Sequence, residues 1–220
     1  MSKHLITDCF PMKVMCSSVF SIPNSDIAKF VGEKKQIYDE EVEVLFLGST
    51  NSGKSSLINA ISGKVVAKAS KKLSKTQAMK RYNFGKNPES KYILVDSPGY
   101  GFVRAPLKVK KMFRKMIFRH VAYTKTLMKI FILINGHIGL KPNDIEMLDQ
   151  LDRFKRPIQI VLTKVDKVKS KEQLMQILSE TSLRIQRYKS VTPMIHITST
   201  KEHVGIKQLK TNIALTFMDN

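Results

Sequence analysis

The sequence predicts an α/β fold: a single three-layer domain with a mostly parallel six-stranded sheet and helices on both faces. Three observations carry this. From residue 41 onward, apolar runs of strand length alternate with amphipathic runs of helix length. The 220 residues, 42% hydrophobic and 25% charged, suit one domain with a full core and short extensions. The run Gly48-Ser-Thr-Asn-Ser-Gly53-Lys54-Ser55 reads G-x-x-x-x-G-K-S and lies between an apolar stretch (42–47) and an amphipathic one (56–61). That is the strand, loop and helix start of a phosphate-binding loop. The domain is expected to span 41–218, with residues 1–40 as an N-terminal arm.

Each element follows from local pattern. The first strand is expected at 41–47 and the first helix at 54–62. Residues 63–79 are basic and Ser/Lys-rich without a period, and read as a loop. Strands at 81–84 and 92–95 are joined by Gly85-Lys-Asn-Pro88. Residues 97–107, with two Gly and two Pro, form another loop. Val109, Met112, Phe113, Met116, Ile117 and Val121 recur at helical spacing and predict a helix over 108–121. Lys108, Lys111, Arg114, Lys115 and Arg119 fall mostly on its other side. A buried strand at 127–135 precedes a short helix at 143–151, started near Pro142 and Asn143. A strand at 158–163, a long helix at 171–187, a last strand at 194–198 and a closing helix at 205–217 complete the order.

The phosphate loop assigns chemistry. Its glycines permit a tight turn whose N–H groups point inward. Asn51, Ser52, Gly53, Lys54, Ser55 and Ser56 are the candidate cradle, Lys54 reaching the β- and γ-phosphates and Ser55 ligating Mg²⁺. Asp96-Ser-Pro-Gly99 ends a strand and fits D-x-x-G, with Asp96 holding Mg²⁺ through water and the Gly99 N–H sensing the γ-phosphate. Thr163-Lys164-Val165-Asp166 fits the guanine-reading T-K-x-D. The Asp166 carboxylate can accept both the N1–H and N2–H₂ of guanine. Adenine offers neither donor there, a difference able to discriminate roughly 10⁴-fold. Lys164 would lie along the base plane. Thr198, Ser199 and Thr200 follow the last strand, where a backbone N–H would meet guanine O6. Thr76, in the basic loop, is the candidate switch threonine on Mg²⁺ and the γ-phosphate. Lys54, Thr76 and Gly99 are thus the expected catalytic contacts, and Ser55, Thr76 and Asp96 the expected metal contacts, of a GTP/GDP site.

Charge points to a partner. The net charge is +20, and residues 61–130 hold eighteen Lys/Arg against two acids, Glu89 and Asp96. Such a field suits a polyanion, either nucleic acid or an anionic membrane. The longest strongly apolar run, 130–134, is far too short to cross a bilayer. The N-terminus lacks the apolar core of a secretory signal. The two cysteines, Cys9 and Cys16, are expected to be reduced and unpaired, and no Cys/His cluster has metal-ligand spacing.

Asn51 with Gly-Lys-Ser-Ser-Leu-Ile-Asn, Asp96-Ser-Pro-Gly-Tyr-Gly101, Gly139-Leu-Lys-Pro-Asn-Asp-Ile-Glu-Met-Leu148 and Val161-Leu-Thr-Lys-Val-Asp166 resemble the EngB (YihA/YsxC) GTPases of the TrmE–Era–EngA–EngB group. The resemblance runs from about residue 41 to 217. It implies a Ras-like fold, Mg²⁺-dependent GTP hydrolysis and a role in large ribosomal subunit assembly through ribosomal RNA. Bacterial members are tied to cell division, so the implied compartment is the cytoplasm or, in a eukaryote, an organelle. A monomer is expected. The chain departs from the family at Ser49, where EngB proteins carry Arg, and in the first switch, where only Lys75-Thr76-Gln77 matches. Ile134-Asn-Gly-His-Ile-Gly139 replaces a V-D-x-R-H-G segment.

Tyr100 stands where Ras-like enzymes place a water-orienting Gln, so slow intrinsic turnover is expected. Asn51 occupies the position of a K⁺-coordinating Asn in related GTPases, making K⁺ a candidate second cation. The competing expectation is a weakly hydrolysing or non-hydrolysing guanine-nucleotide module docked on an anionic membrane or protein.

Overall fold

Seven consecutive buried residues, Val42–Gly48, form the strand β1. Continuous burial means that both of its faces are covered, as in a parallel sheet between helix layers. The computed structural model describes residues 41–67, 79–84, 91–101 and 106–218. The expected arm 1–40, with Cys9 and Cys16, lies outside them, as does Thr76.

β1 is followed by α1 (Lys54–Ser62), β2 (Lys80–Asn83), β3 (Tyr92–Asp96), α2 (Leu107–Tyr123), β4 (Leu127–Asn135), α3 (Pro142–Leu151), β5 (Ile158–Thr163), α4 (Lys171–Ile185), β6 (Val191–Ile197) and α5 (Ile206–Thr216). The six strands lie in the order β2-β3-β1-β4-β5-β6. All neighbours run parallel except β2 with β3. The expected single α/β domain with a mostly parallel six-stranded sheet is what forms.

Two cores sandwich the sheet. On one face Leu45, Leu47, Val95, Ile130 and Ile132 pack with Ile117 and Val121 of α2, Leu148 of α3 and Leu174 of α4. On the other, Val44, Phe46, Phe131 and Leu133 pack with Leu57 and Ile61 of α1 and Leu209 and Ile213 of α5. Phe46 and Phe131 stack at 5.4 Å between adjacent strands. Each such side chain, fully buried, contributes about 1.5–3 kcal/mol.

Glu43 is the exception in β1, a fully buried carboxylate. Arg81 of β2 reaches it at 2.7 Å while also holding Glu41 at 2.6 Å, and His120 of α2 contacts its other oxygen. A charge so buried persists only when paired. The pairing ties the edge strand and α2 to the sheet centre.

The chain steps from β1 to β3 on one side and then across to β4 on the other. This leaves a crevice at the strands' C-terminal ends, where ligands bind in open α/β sheets. Most boundaries differ from expectation by one or two residues, α4 for instance ending at Ile185 rather than at 187, and three differences stand out. β6 starts at Val191, three residues early, because Pro193 is tolerated on an edge strand. α2 extends to Tyr123. Short 3₁₀ turns at Asp152–Phe154 and Val165–Lys167 give no periodic signal in sequence. Among the described residues no helix is long and apolar enough to cross a membrane.

Candidate functional site

Four loops meet at the C-terminal ends of β1, β3, β5 and β6. The loop after β1 turns through left-handed conformations at Asn51 (φ 63°) and Gly53 (φ 98°), the second opening α1. A Cβ at Gly48 would lie 2.8 Å from the Leu133 carbonyl oxygen, so only glycine lets β1 leave the sheet here. Lys54 folds back beneath the loop and donates to the carbonyls of Gly48 (2.8 Å) and Ser49 (3.2 Å). Burial pulls its ammonium down from 10.5 to about 8, with Asp96 and Asp144 opposing the shift. A buried ammonium whose hydrogen bonds all go to carbonyl oxygens is a site for an anion.

The loop after β3 is stitched to the first. Tyr100 N–H donates to Gly48 O and Thr50 N–H to Tyr100 O, both at 3.2 Å, and Ser97 Oγ donates to Phe46 O at 2.8 Å. Gly99 is thereby held against Thr50. A Cβ there would come within 3.1 Å of the Thr50 backbone and 3.3 Å of Lys54 Nζ. Asp96 is buried, and its pKa is raised, first by burial, against the opposing Lys54 charge. Ser55 Oγ donates to its Oδ2 at 3.2 Å, while Oδ1 is buried without a hydrogen-bond partner among the described residues. One hydroxyl and one orphaned carboxylate oxygen fit a hard cation such as Mg²⁺. No cluster of three His, Cys, Asp or Glu accompanies them among the described residues. The cation would therefore take its remaining ligands from phosphate and water.

The far end is built from β5 and β6. Thr163 Oγ1 donates to Ser52 O at 2.5 Å, and Lys164, itself left-handed (φ 56°), donates to Asn51 O. These bonds fix the T-K-x-D loop against the phosphate loop. Asp166, in the Val165–Lys167 turn, accepts from Ser199 Oγ at 2.6 Å, and Ser199 Oγ in turn accepts from Glu202 N–H at 3.1 Å. The other Asp166 oxygen has no protein partner among the described residues. Thr198 N–H and Oγ1 both donate to Leu162 O, at 2.7 and 3.0 Å, which seats the 198–200 segment beside Asp166. Lys54, Ser55, Asp96 and Gly99 thus gather at one end and Thr163, Lys164, Asp166, Thr198 and Ser199 at the other. Asn51, Ser52 and Gly53 lie between, with Ser56 in the first turn of α1 and Thr200 on the rim.

Two residues not singled out by sequence, Asp144 and Gly136, complete the site, and a third, Asn59, secures the chain after α1. Asp144, buried in the first turn of α3, accepts from Lys141 N–H at 2.9 Å and acts on both Lys54 and Tyr100. Tyr100 is itself buried in the core, and burial followed by the Asp144 charge raises its phenol well above 10. Gly136 donates to Thr163 O at 2.6 Å where a Cβ would meet that oxygen at 2.9 Å. Asn59 of α1 binds the chain just beyond the helix: its Oδ1 accepts from Val66 and Ala67 N–H at 2.9 and 2.7 Å, and its Nδ2 donates to Ala67 O at 2.7 Å. Asn59 and Asp144 stood inside recognisable motifs, but nothing in sequence gave their partners.

Comparison with known proteins agrees with this geometry. A family model described as "50S ribosome-binding GTPase" matches residues 43–164. The chain is 39% identical over 176 residues to the probable GTP-binding protein EngB of Ruegeria pomeroyi, covering 80% of this chain and 79% of that one. It is 38% identical over 175 residues to the corresponding protein of Roseobacter denitrificans, covering 79% of each. A solved probable GTP-binding protein EngB superposes with TM-score 0.61 at 22% identity, covering 81% of this chain and 100% of that one. The fold is also that of Era in complex with MgGDPNP and nucleotides 1506–1542 of 16S ribosomal RNA (TM-score 0.63, 20% identity, 80% of this chain and 57% of Era).

Proposed function

Because the chain belongs to the EngB family of GTP-binding proteins and is a P-loop GTP hydrolase, we propose that it is a Mg²⁺-dependent switch that acts on ribosomal RNA during large-subunit assembly. The observation that carries the switch is the backbone pairing of Tyr100 with Gly48 and Thr50, which places Gly99 over Lys54. Inward N–H groups of residues 51–56 and the Lys54 ammonium hold the β- and γ-phosphates. Asp166 selects guanine, and Lys164 and the 198–200 segment frame the base. Ser55 and Asp96 would hold Mg²⁺, whose charge would offset that of the phosphates.

Hydrolysis adds water to the γ-phosphorus and releases GDP and phosphate. The Gly99 N–H and Lys54 stabilise the charge spread over the γ-oxygens. Tyr100 is turned into the core beside Asp144 and offers the water no side chain, so intrinsic turnover is slow. K⁺ at Asn51 is a candidate for the missing positive charge. When the γ-phosphate leaves, the Gly99 contact is lost. The loop that carries Gly99 leads into α2, whose Lys108, Lys111, Lys115 and Arg119 then report the nucleotide state to the RNA. The 50S ribosome in the family description supports this reading. So does the local excess of sixteen positive charges in residues 61–130.

The test pairs GTP turnover, with and without large ribosomal subunits, with cosedimentation in GDP and in a non-hydrolysable GTP analogue. Stimulated turnover and salt-sensitive association that favours the analogue support the proposal. Equal association in both nucleotide states overturns it.

A further inference from the structure

Helix α2 carries a second feature that the nucleotide site does not use. Lys111, Lys115, Arg119 and Tyr123 stand at every fourth position, so they form one stripe along the helix, stepping about 6 Å each. The three cations are free of ion pairs among the described residues, whereas Arg114 and His120 are engaged by Glu146 and Glu43. Tyr123, at the helix's end, is 80% exposed. Beside the stripe Phe118 stacks on Phe154 of the turn after α3, with ring centroids 5.9 Å apart and planes inclined by 24°. Together they line an open groove of about 830 Å³ with no acidic residue in its walls.

We propose that this groove binds an unpaired RNA strand, its phosphates tracking Lys111, Lys115 and Arg119 and its bases stacking on Tyr123 and the edge of the Phe118–Phe154 pair. The choice of RNA rests on the ribosomal reading above; the choice of an unpaired strand rests on the groove itself. A single line of charges suits a linear polyanion, with steps comparable to the separation of successive phosphates. The aromatic faces have no use to a duplex, whose bases stack on each other, but each is a platform for a splayed base. A membrane would need a broad apolar face to insert, and here the aromatics sit within a groove between cations. Because α2 begins just after the loop that carries Gly99, the groove lies on the element through which nucleotide state would be passed.

The test measures fluorescence anisotropy with a short uridine-rich RNA strand and with an RNA duplex. The variants are Tyr123→Ala, Tyr123→Phe and Lys115→Ala/Arg119→Ala, all in the full chain. All three positions are exposed, so intrinsic GTP turnover and thermal stability serve as folding controls. Single-strand affinity should fall about five- to a hundredfold in Tyr123→Ala and be retained in Tyr123→Phe. The double variant should flatten the salt dependence of log K by about 1.4, two contacts at ~0.7 each. Single-strand binding unchanged in Tyr123→Ala, or equal preference for the duplex, overturns the proposal. If wild type and variants cosediment equally with large subunits, the groove is excluded and the assembly reading stands. If wild type binds the strand but never cosediments, the assembly reading fails and the groove remains.

Discussion

Ser199 Oγ lies 2.6 Å from Asp166 Oδ1 and ties together two loops that are 33 residues apart in sequence. The bond orients the carboxylate and occupies one side of it, leaving the second oxygen for the base. Asp166→Asn should lower GTP affinity by about a hundredfold or more and raise affinity for xanthosine triphosphate, because the carboxamide reverses the donor pattern. Ser199→Ala, which only frees the carboxylate, should cost about five- to tenfold for GTP. Competition against a fluorescent GDP analogue reads both.

Nucleotide affinity should depend on pH through Lys54. Its folded pKa is lowered to about 8, so the empty protein loses this charge as pH rises past 8. A bound polyphosphate keeps the lysine protonated, and binding then takes up a proton. GDP affinity should be flat below pH 8 and fall by up to about tenfold per unit above it. The empty protein shows the opposite trend. A base with a depressed folded pKa costs stability below 8, and the cost is relieved between 8 and 10.5, where the unfolded chain binds more protons. Calorimetric titrations at pH 7 and 9.5 test the first trend, and Lys54→Arg should abolish it.

Mg²⁺ dependence should reside in Ser55 and Asp96. In wild type, GDP with Mg²⁺ should raise the Tm above GDP with a chelator. Ser55→Ala and Asp96→Asn should remove that increment. An undiminished increment in both variants would reassign the metal ligands.

Turnover should be faster in KCl than in NaCl if Asn51 helps to hold K⁺. Asn51 is exposed with φ 63°, so Asn51→Gly removes the carboxamide while keeping a backbone that tolerates this conformation. The variant should turn over equally in the two salts.

Asn59→Ala should destabilise the chain by about 1–3 kcal/mol in urea unfolding, since the Val66 and Ala67 N–H groups each lose their partner at once. Limited trypsin digestion should also cut faster after the exposed Lys64.

The parts of the site legible in sequence are those where backbone geometry or ligand chemistry leaves one residue type. Gly48 and Gly53 are forced by close approach and positive φ, and Lys54, Ser55, Asp96 and Asp166 by what phosphate, Mg²⁺ and guanine require. Asp144, Gly136 and Asn59 were not legible as site residues because each depends on a partner that folding supplies. Asp144 acts through its charge on a lysine from α1, and Gly136 meets the end of β5. The strands at 127–135 and 158–163 matched their apolar runs because buried parallel strands are continuously hydrophobic. β6 begins at Val191 rather than at 194, since an edge strand admits Pro193.

The two outermost strands also govern how this chain meets other copies of itself. β2 has four residues, with Lys80 and Arg81 exposed, and β6 spends one edge position on a proline without an N–H. A short charged edge and an interrupted one are poor templates for a further strand. Among the described residues the sheet is therefore terminated on both sides by its own sequence, which disfavours strand-by-strand association between copies of this basic chain.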